Sequence, residues 1–490
     1  MNAFFGSDSF LYPSLGPAVL DVIRSAYAFL LTATLVAALP HARRYFLSEG
    51  WGGYAERGRW TDRVQNPVVL PLIMAVWLTA SVALFVNRAV MPAACINVVF
   101  CRYFFIQMRW RGVLRGMGAP GFMAYWLGVA VLLLEYARRF APELQGLALL
   151  VLQVDFALIM VSAGTYKLAS GYHQNDGMEL GMVNPEWGYW SGFWSRLSPQ
   201  SVWFRLCNEA AWRTEIVGAL LMLVPPARFL GGLLILLSFI FIATQIRLGF
   251  LCEMVIVCSL LFAHQGSLVD VWLTTTASSP QTVAVSAAAP SSLNALIGVI
   301  LWGYLLLLPF ARAGLAYNLY AKKTFTPRLQ RVFEAYTNLF GLIVWRVFSA
   351  DLINFYVEIY EERGNRDRRL ISKWGESLRY RQVAESIAVT SVFTTLKYFP
   401  SNRELFVRRL VRYARTVPHD QNSLLVFRYV SVLKRENRFD FHPVAEYVVD
   451  VDRAVVSDRI LDEFMSVHAP TATSPIHEGA RPGSYAPLRP

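Results

Sequence analysis

Among the residues able to do chemistry in this chain, Lys167 offers the most. It closes an apolar run, VDFALIMVSAGTYKLASG, and is the only lysine in the first 321 residues. A desolvated lysine can lose its proton and act as a base, whereas arginine cannot. A simpler origin is also open: six lysines stand among 46 basic residues, so arginine is preferred throughout, and a lysine at a helix end commonly reaches for the membrane surface. Asp155, Arg213, Glu215, Arg247 and Glu253 also fall inside apolar segments. Each costs about 2.5–3.5 kcal/mol at membrane depth on insertion scales and so needs a reason. They pair as glue within a helix bundle, or they line a polar pocket at the end of an apolar cavity. Arg213 and Glu215, two positions apart, cannot face each other on one helix. After Lys167 come Tyr172, Trp187, Tyr189, Trp190, Phe193, Trp194, Trp203 and Phe204. They form either an interfacial aromatic belt or a flat floor for a quinone or sterol ring.

Other chemistries lack their signatures. No P-loop, no GxGxxG opening a helix, no HExxH and no GxSxG is present. Cys95, Cys101, Cys207, Cys252 and Cys258 contain no CxxC and lie in or beside apolar runs, as expected of free buried thiols, and no metal site is expected.

These residues are set in a membrane-type sequence. The 490 residues are 55% hydrophobic and 16% charged, with mean hydropathy +0.38, where soluble chains carry about 25% charge. Disordered, collagen-like and disulfide-rich classes are excluded, and the expected fold is an all-α polytopic membrane bundle of about nine transmembrane helices with a small C-terminal α+β soluble domain. The spans are expected near Pro17–Leu39, Val68–Val90, Ala93–Met108, Gly121–Ala137, Gly146–Tyr166, Ala210–Val224, Phe229–Ile246, Phe250–His264 and Leu296–Ala313. No Lys or Arg precedes the first apolar run, so it is expected to be a retained span rather than a signal peptide. Loops on the side opposite the N-terminus collect Arg43, Arg44, Arg57, Arg59, Arg63, Arg109, Arg111, Arg115, Lys167, Arg196, Arg205 and Arg247. The positive-inside rule then puts the N-terminus outside and the C-terminal domain in the cytoplasm.

Composition divides the chain into 1–320, a transmembrane domain, 321–466, a soluble α+β domain, and 467–490, a disordered tail rich in Pro, Ser, Thr and Gly. The loop Thr274–Ser292 is of similar composition. Within the soluble domain, Arg328–Phe348 and Ile371–Tyr398 are expected to be helices and Leu352–Tyr360 a strand. Ser401 and Asn402 with Glu404 open a third helix, and Leu424–Lys434 pairs with Phe439–Val451 as a hairpin. The formal charge of +12 splits into +5 before residue 321 and +7 after it. The basic runs are interleaved with Glu and Asp and follow directly on a membrane domain. They therefore point to anionic lipid headgroups and not to nucleic acid.

The segment Gly164–Gly266 resembles the HTTM domain, the membrane module related to vitamin K-dependent γ-carboxylase. The matching residues are Gly164-Thr165-Tyr166-Lys167-Leu168, Asp176-Gly177, Trp187, and Arg213-Thr214-Glu215-Ile216-Val217-Gly218-Ala219-Leu220-Leu221. Pro225-Pro226, Arg228, Gln245-Ile246-Arg247-Leu248-Gly249 and the helix Phe250–Ala263 continue it. The resemblance implies that Lys167 is the base that deprotonates a hydroquinone, with Glu215 in the place of the family's acidic helix residue. In the carboxylase the quinol then reacts with oxygen to give a strong base, which removes a γ-proton from peptide glutamate before CO2 adds. Tyr166, Trp187, Trp190, Arg213 and Arg247 are the candidates to hold such a quinone.

Departures from the pattern shape the expectation. Where the carboxylase has a histidine in the helix after the acidic one, this chain has Phe241-Ile242-Ala243-Thr244. The carboxylase's large propeptide-gripping domain has no counterpart, and charge bias puts Lys167 on the cytoplasmic side rather than the lumenal one. The expected function is a quinone-binding or carboxylase-like membrane enzyme acting through Lys167. Its partners would be membrane lipid and a lipid-soluble quinone or peptide substrate. The alternative is a non-catalytic scaffold that recruits a partner through its C-terminal domain.

Overall fold

The computed structural model describes residues 13–42, 47, 64–107, 118–276, 291–343, 353–364, 367–372, 384–398 and 400–460. The N-terminal part is a helical bundle: α1 (Pro17–Ala38), α2 (Val69–Phe85), α3 (Val90–Cys101), α4 (Gly118–Phe140) and α5 (Gln145–Ala169), then the short α6 (Met178–Val183). α7 (Val202–Leu223), α8 (Arg228–Gln245), α9 (Leu251–Ser259), α10 (Leu268–Thr276) and α11 (Ser291–Tyr320) follow. Local signals set their ends. Pro17 occupies the first turn of α1, where its missing N–H costs nothing, and the Ser201 side chain accepts from Trp203 N at the start of α7.

Among the described residues, four helical segments are long and apolar enough to cross a membrane: Pro17–Ala38, Pro142–Ala169, Pro225–Gln245 and Ser292–Tyr320. These helices do not support the expected nine spans: the other expected segments are too short or carry too many charges. The apolar helices Val69–Phe85, Val90–Ile106 and Leu251–Phe262 are shorter. The nine residues of α9 rise ~14 Å, against a hydrocarbon core of ~30 Å. α7 has the length, but Arg205, Glu209, Arg213 and Glu215 fall within it.

Small residues let the helices approach closely. A Cβ on Gly164 of α5 would sit 2.6 Å from Ile216 Cγ1 and 2.9 Å from the Trp212 carbonyl oxygen of α7, so glycine is what this crossing admits. Two buried carboxylates inside the bundle are paired. Asp155 accepts from Arg312 and Tyr304 of α11 and from Trp126 of α4, each at 2.8 Å. Near the other end, Glu135 meets Arg24 at 3.3 Å and Arg139 at 2.9 Å.

After α11 the chain turns back as α12 (Pro327–Phe340), which packs against α11 through Phe333, Tyr336 and Phe340, with the Phe340 ring 4.8 Å from Tyr304. The expected helix Arg328–Phe348 is therefore present to Phe340 and belongs to the bundle by contact. Beyond it stands a five-stranded antiparallel sheet of order β2-β1-β3-β4-β5: β1 (Phe355–Glu362), β2 (Arg368–Leu370), β3 (Leu424–Lys434), β4 (Phe439–Asp450) and β5 (Val455–Ile460). The hairpin has the expected bounds to within a residue, closing with Lys434 opposite Phe439. The flanking strands β2 and β5 add to it. α13 (Ala384–Tyr398) and α14 (Arg403–Ala414) cover one face, where Phe393 packs on Phe406, Phe427, Tyr429 and Tyr447. Asn402 caps α14 by accepting from Leu405 N at 3.0 Å. Of the expected helix Ile371–Tyr398, Ile371 and Ser372 are instead non-helical, both donating from N to the Ile359 carbonyl of β1, and the helix is present from Ala384; residues 373–383, the loop 277–290 and the tail 461–490 lie outside the described residues.

The sheet is seated on the loop that follows α5. The Asn184 side chain donates to the carbonyls of Ile353 and Phe355, both at 2.8 Å, and Phe204 meets Phe439 edge to face at 5.6 Å. The Lys167 end of the bundle is thus the end that carries the C-terminal sheet.

Candidate functional site

Lys167 lies two residues before the end of α5, and Glu215 lies midway along α7. The close crossing at Gly164 brings them together: Lys167 Nζ donates to Glu215 Oε1 at 2.5 Å, with the side chains 2% and 1% exposed. Burying two charges costs several kcal/mol per ion before their attraction is counted, so both need partners in place. The pair is only partly satisfied. Glu215 Oε2 is buried with no hydrogen-bond partner among the described residues. Nζ lies 6.0 Å from the centroid of the Tyr172 ring, which offers its negative face to the ammonium.

Tyr172 links this pair to a second polar group. It is fully buried, and Gly177 clears room for its ring, since a Cβ there would come 2.5 Å from it. Burial, with Glu215 and Glu179 nearby, pushes the Tyr172 phenol well above its ordinary range, so it stays protonated. Beyond it, the Glu179 carboxylate accepts from Gly177 N at 3.1 Å and from Asn208 Nδ2 at 2.6 Å, while Asn208 Oδ1 accepts from Met178 N at 2.7 Å. Into this group reaches Lys434, the last residue of β3. It pairs with Asp176, donates to the Asn175 carbonyl at 2.6 Å and meets Glu179 at 3.2 Å. Burial opposes charge on Lys434, but Glu179 and Asp176 outweigh it and raise its pKa. Glu179 is raised by burial, against the pull of Lys434 and the hydrogen bonds from Asn208 and Gly177.

The remaining sequence candidates divide. Tyr166 is buried on the Lys167 helix and Trp187 is buried in the following loop. Arg247 is half-buried and holds that loop, donating from Nη1 to the Pro185 carbonyl at 2.8 Å and from its backbone N–H to the Trp187 carbonyl at 2.7 Å. Arg213 points outward, 62% exposed, where it pairs with Glu209 at 2.7 Å and covers Trp212. Trp190 is 59% exposed and donates to the Thr244 carbonyl at 3.0 Å. Neither joins the pair. Asp155 is engaged in its own cluster with Arg312, and Glu253 sits half-buried at the start of α9.

Sequence reasoning passes over Glu179, Asn208, Lys434 and Glu186. Glu186 is wholly buried against α13, its Oε1 reached by Thr390 at 3.5 Å. Burial pushes its carboxyl well above the usual range, against hydrogen bonds from Ser386 and Thr390 and the charge of Arg247. Only the charged residues of the loop GYHQNDGMELGMVNPEWGYW hint at these contacts; their partners lie on another helix and on a sheet more than 200 positions away. Among the described residues no group of three or more His, Cys, Asp or Glu could hold a metal ion. Comparison of the chain with family models, with curated proteins and with solved structures finds no match.

Proposed function

We propose that the chain is an HTTM-type multi-pass membrane protein that takes a proton from the hydroxyl of a lipid-soluble hydroquinone, with Lys167 as the base and Glu215 as its proton-sharing partner. The observation that carries this reading is the half-satisfied buried pair. Glu215 Oε2, buried and without a partner among the described residues, offers an acceptor to a ligand hydroxyl, and leaving such an atom unpaired is costly. The 2.5 Å contact lets the ammonium pass a proton to the carboxylate. That leaves a neutral amine able to accept another, which is what a general base requires. Tyr172, held neutral, keeps a polarisable ring against Nζ without adding a competing charge. Tyr166 and Trp187 are the buried aromatics available to hold a ring, whereas Trp190 and Arg213 are committed elsewhere. A bound hydroquinone would supply the acidic hydroxyl and the reducing electrons. The bias of basic residues toward the loops opposite the N-terminus supports a cytoplasmic C-terminal domain.

The test uses the full chain in lipid nanodiscs with a short-chain naphthohydroquinone, following binding by tryptophan quenching and turnover by oxidation of the deprotonated probe to the quinone, with dissolved oxygen taking its two electrons. Lys167→Ala is expected to keep binding within a few fold and to lower turnover by about 10²-fold or more. Glu215→Gln is expected to weaken both. Full turnover in folded Lys167→Ala would overturn the reading. It would favour the second one, a scaffold whose C-terminal sheet is the working part, for which the seating of Lys434 between Asp176 and Glu179 speaks.

A further inference from the structure

We infer that α12 and the turn before it form a binding surface for the anionic phospholipids of the membrane. Phe333, Tyr336 and Phe340 face α11 and Leu342 joins the same cluster. Beside this packed face runs a second apolar stripe, Leu329, Val332 and Leu339, spaced i, i+3 and i+10 and 52%, 66% and 65% exposed. Three large aliphatic side chains on one stripe of an otherwise polar helix have no reason to face water. They continue the outward apolar surface of α11, where Leu306, Leu307 and Phe310 are exposed on a helix apolar enough to cross a membrane.

Charge identifies the occupant. Lys322, Lys323, Arg328 and Arg331 cluster where α11 ends and α12 begins. Lys323, Arg328 and Arg331 are exposed and meet no carboxylate among the described residues, while the acidic side chain of α12, Glu334, is engaged by Gln330 at 2.8 Å. Exposed cations next to an exposed apolar stripe, at the end of a candidate span, match the order of a lipid: phosphate outermost, acyl chain beneath. An acidic protein partner would satisfy the cations but not the position against the outward apolar side of α11. Each basic residue near an anionic leaflet contributes attraction, so three together give a marked preference over zwitterionic lipid.

The experiment uses the full chain in nanodiscs containing equal amounts of phosphatidylglycerol and phosphatidylcholine. Native mass spectrometry reads the lipids retained, and a nitroxide at Val332→Cys, in a background with Cys95 and Cys207 replaced by Ser, reads depth. Phosphatidylglycerol is expected to be retained about 10-fold or more over phosphatidylcholine, unaffected by added inorganic phosphate, and the nitroxide to be reached by oxygen but not by a water-soluble nickel reagent. Lys323→Gln/Arg328→Gln/Arg331→Gln is expected to abolish the preference while Leu329 and Leu339 keep the nitroxide in lipid. Equal retention by wild type and the triple variant, loss of the lipid to inorganic phosphate, or a nitroxide open to nickel would each overturn the inference. Protection of the nitroxide from both reagents would mean that a protein partner covers the stripe, and would overturn it as well.

Discussion

Removing either member of the Lys167–Glu215 pair should cost far more than removing both. Lys167→Met leaves a carboxylate 1% exposed with neither oxygen paired, since Oε2 already lacks a partner. Glu215→Leu leaves an ammonium 2% exposed, with the Tyr172 ring 6.0 Å away and no carboxylate paired with it among the described residues. Breaking one side of a buried pair costs about 3–5 kcal/mol, while replacing both charges by apolar groups of similar volume is often neutral. The double variant Lys167→Met/Glu215→Leu is therefore expected within about 1 kcal/mol of wild type, giving a coupling of at least about 5 kcal/mol. Equilibrium unfolding of the full chain in mixed detergent micelles, followed by the fluorescence of its 14 tryptophans, measures all four forms. Single variants that each lose less than about 1 kcal/mol, and that add, would be the behaviour of a solvated surface pair. That result would refute the burial reasoning, and with it the half-satisfied acceptor on which the proposed chemistry stands. A stable double variant that no longer turns over the hydroquinone would separate chemistry from folding.

Other outcomes follow from the same contacts. Gly164→Ala places a methyl within 3 Å of Trp212 O and Ile216; it should cost about 1–3 kcal/mol and lower turnover by spreading α5 from α7, as unfolding and probe oxidation would report. Lys434→Met removes a partly exposed cation from Asp176 and Glu179 and should cost about 1–3 kcal/mol; faster amide exchange across residues 172–188 would register the loosened loop. Glu186, held protonated by burial, keeps its proton where the unfolded chain has lost it. Stability at the α13 contact should thus be complete below the ordinary carboxylate range and fall as pH rises through the elevated folded value. Glu186→Gln should flatten that slope in thermal unfolding scans from about pH 4 to about pH 8.

Much of this molecule is legible in its amino-acid sequence. Hydropathy alone marks the apolar helices, because a stretch such as Pro142–Ala169 is long and apolar enough to cross a membrane. The period-two pattern and the polar turn at Glu436 and Asn437 specify the β3–β4 hairpin almost to the residue, since a strand's alternation and its turn are local properties. The capped start of α14 is local in the same way. The number of long spans is not legible, because composition does not say where a helix breaks. Sequence points to Lys167 and Glu215 separately, as costly residues at depth, but two residues 48 positions apart acquire a joint meaning only when Gly164 lets α5 and α7 close to contact. Arg213 looks equivalent to Glu215 in the sequence, and a rotation of two residues along α7 sends one to the exposed side and the other to the core. Lys434 belongs, by sequence, to a soluble strand; only the packing of the sheet on the loop after α5 puts its amine among Asp176, Glu179 and the Asn175 carbonyl. What the residues determine alone is what each stretch of chain prefers as its solvent and its local geometry. Which charges become partners is decided in three dimensions, because electrostatic pairing acts over a few ångströms of space and has no counterpart in separation along the chain.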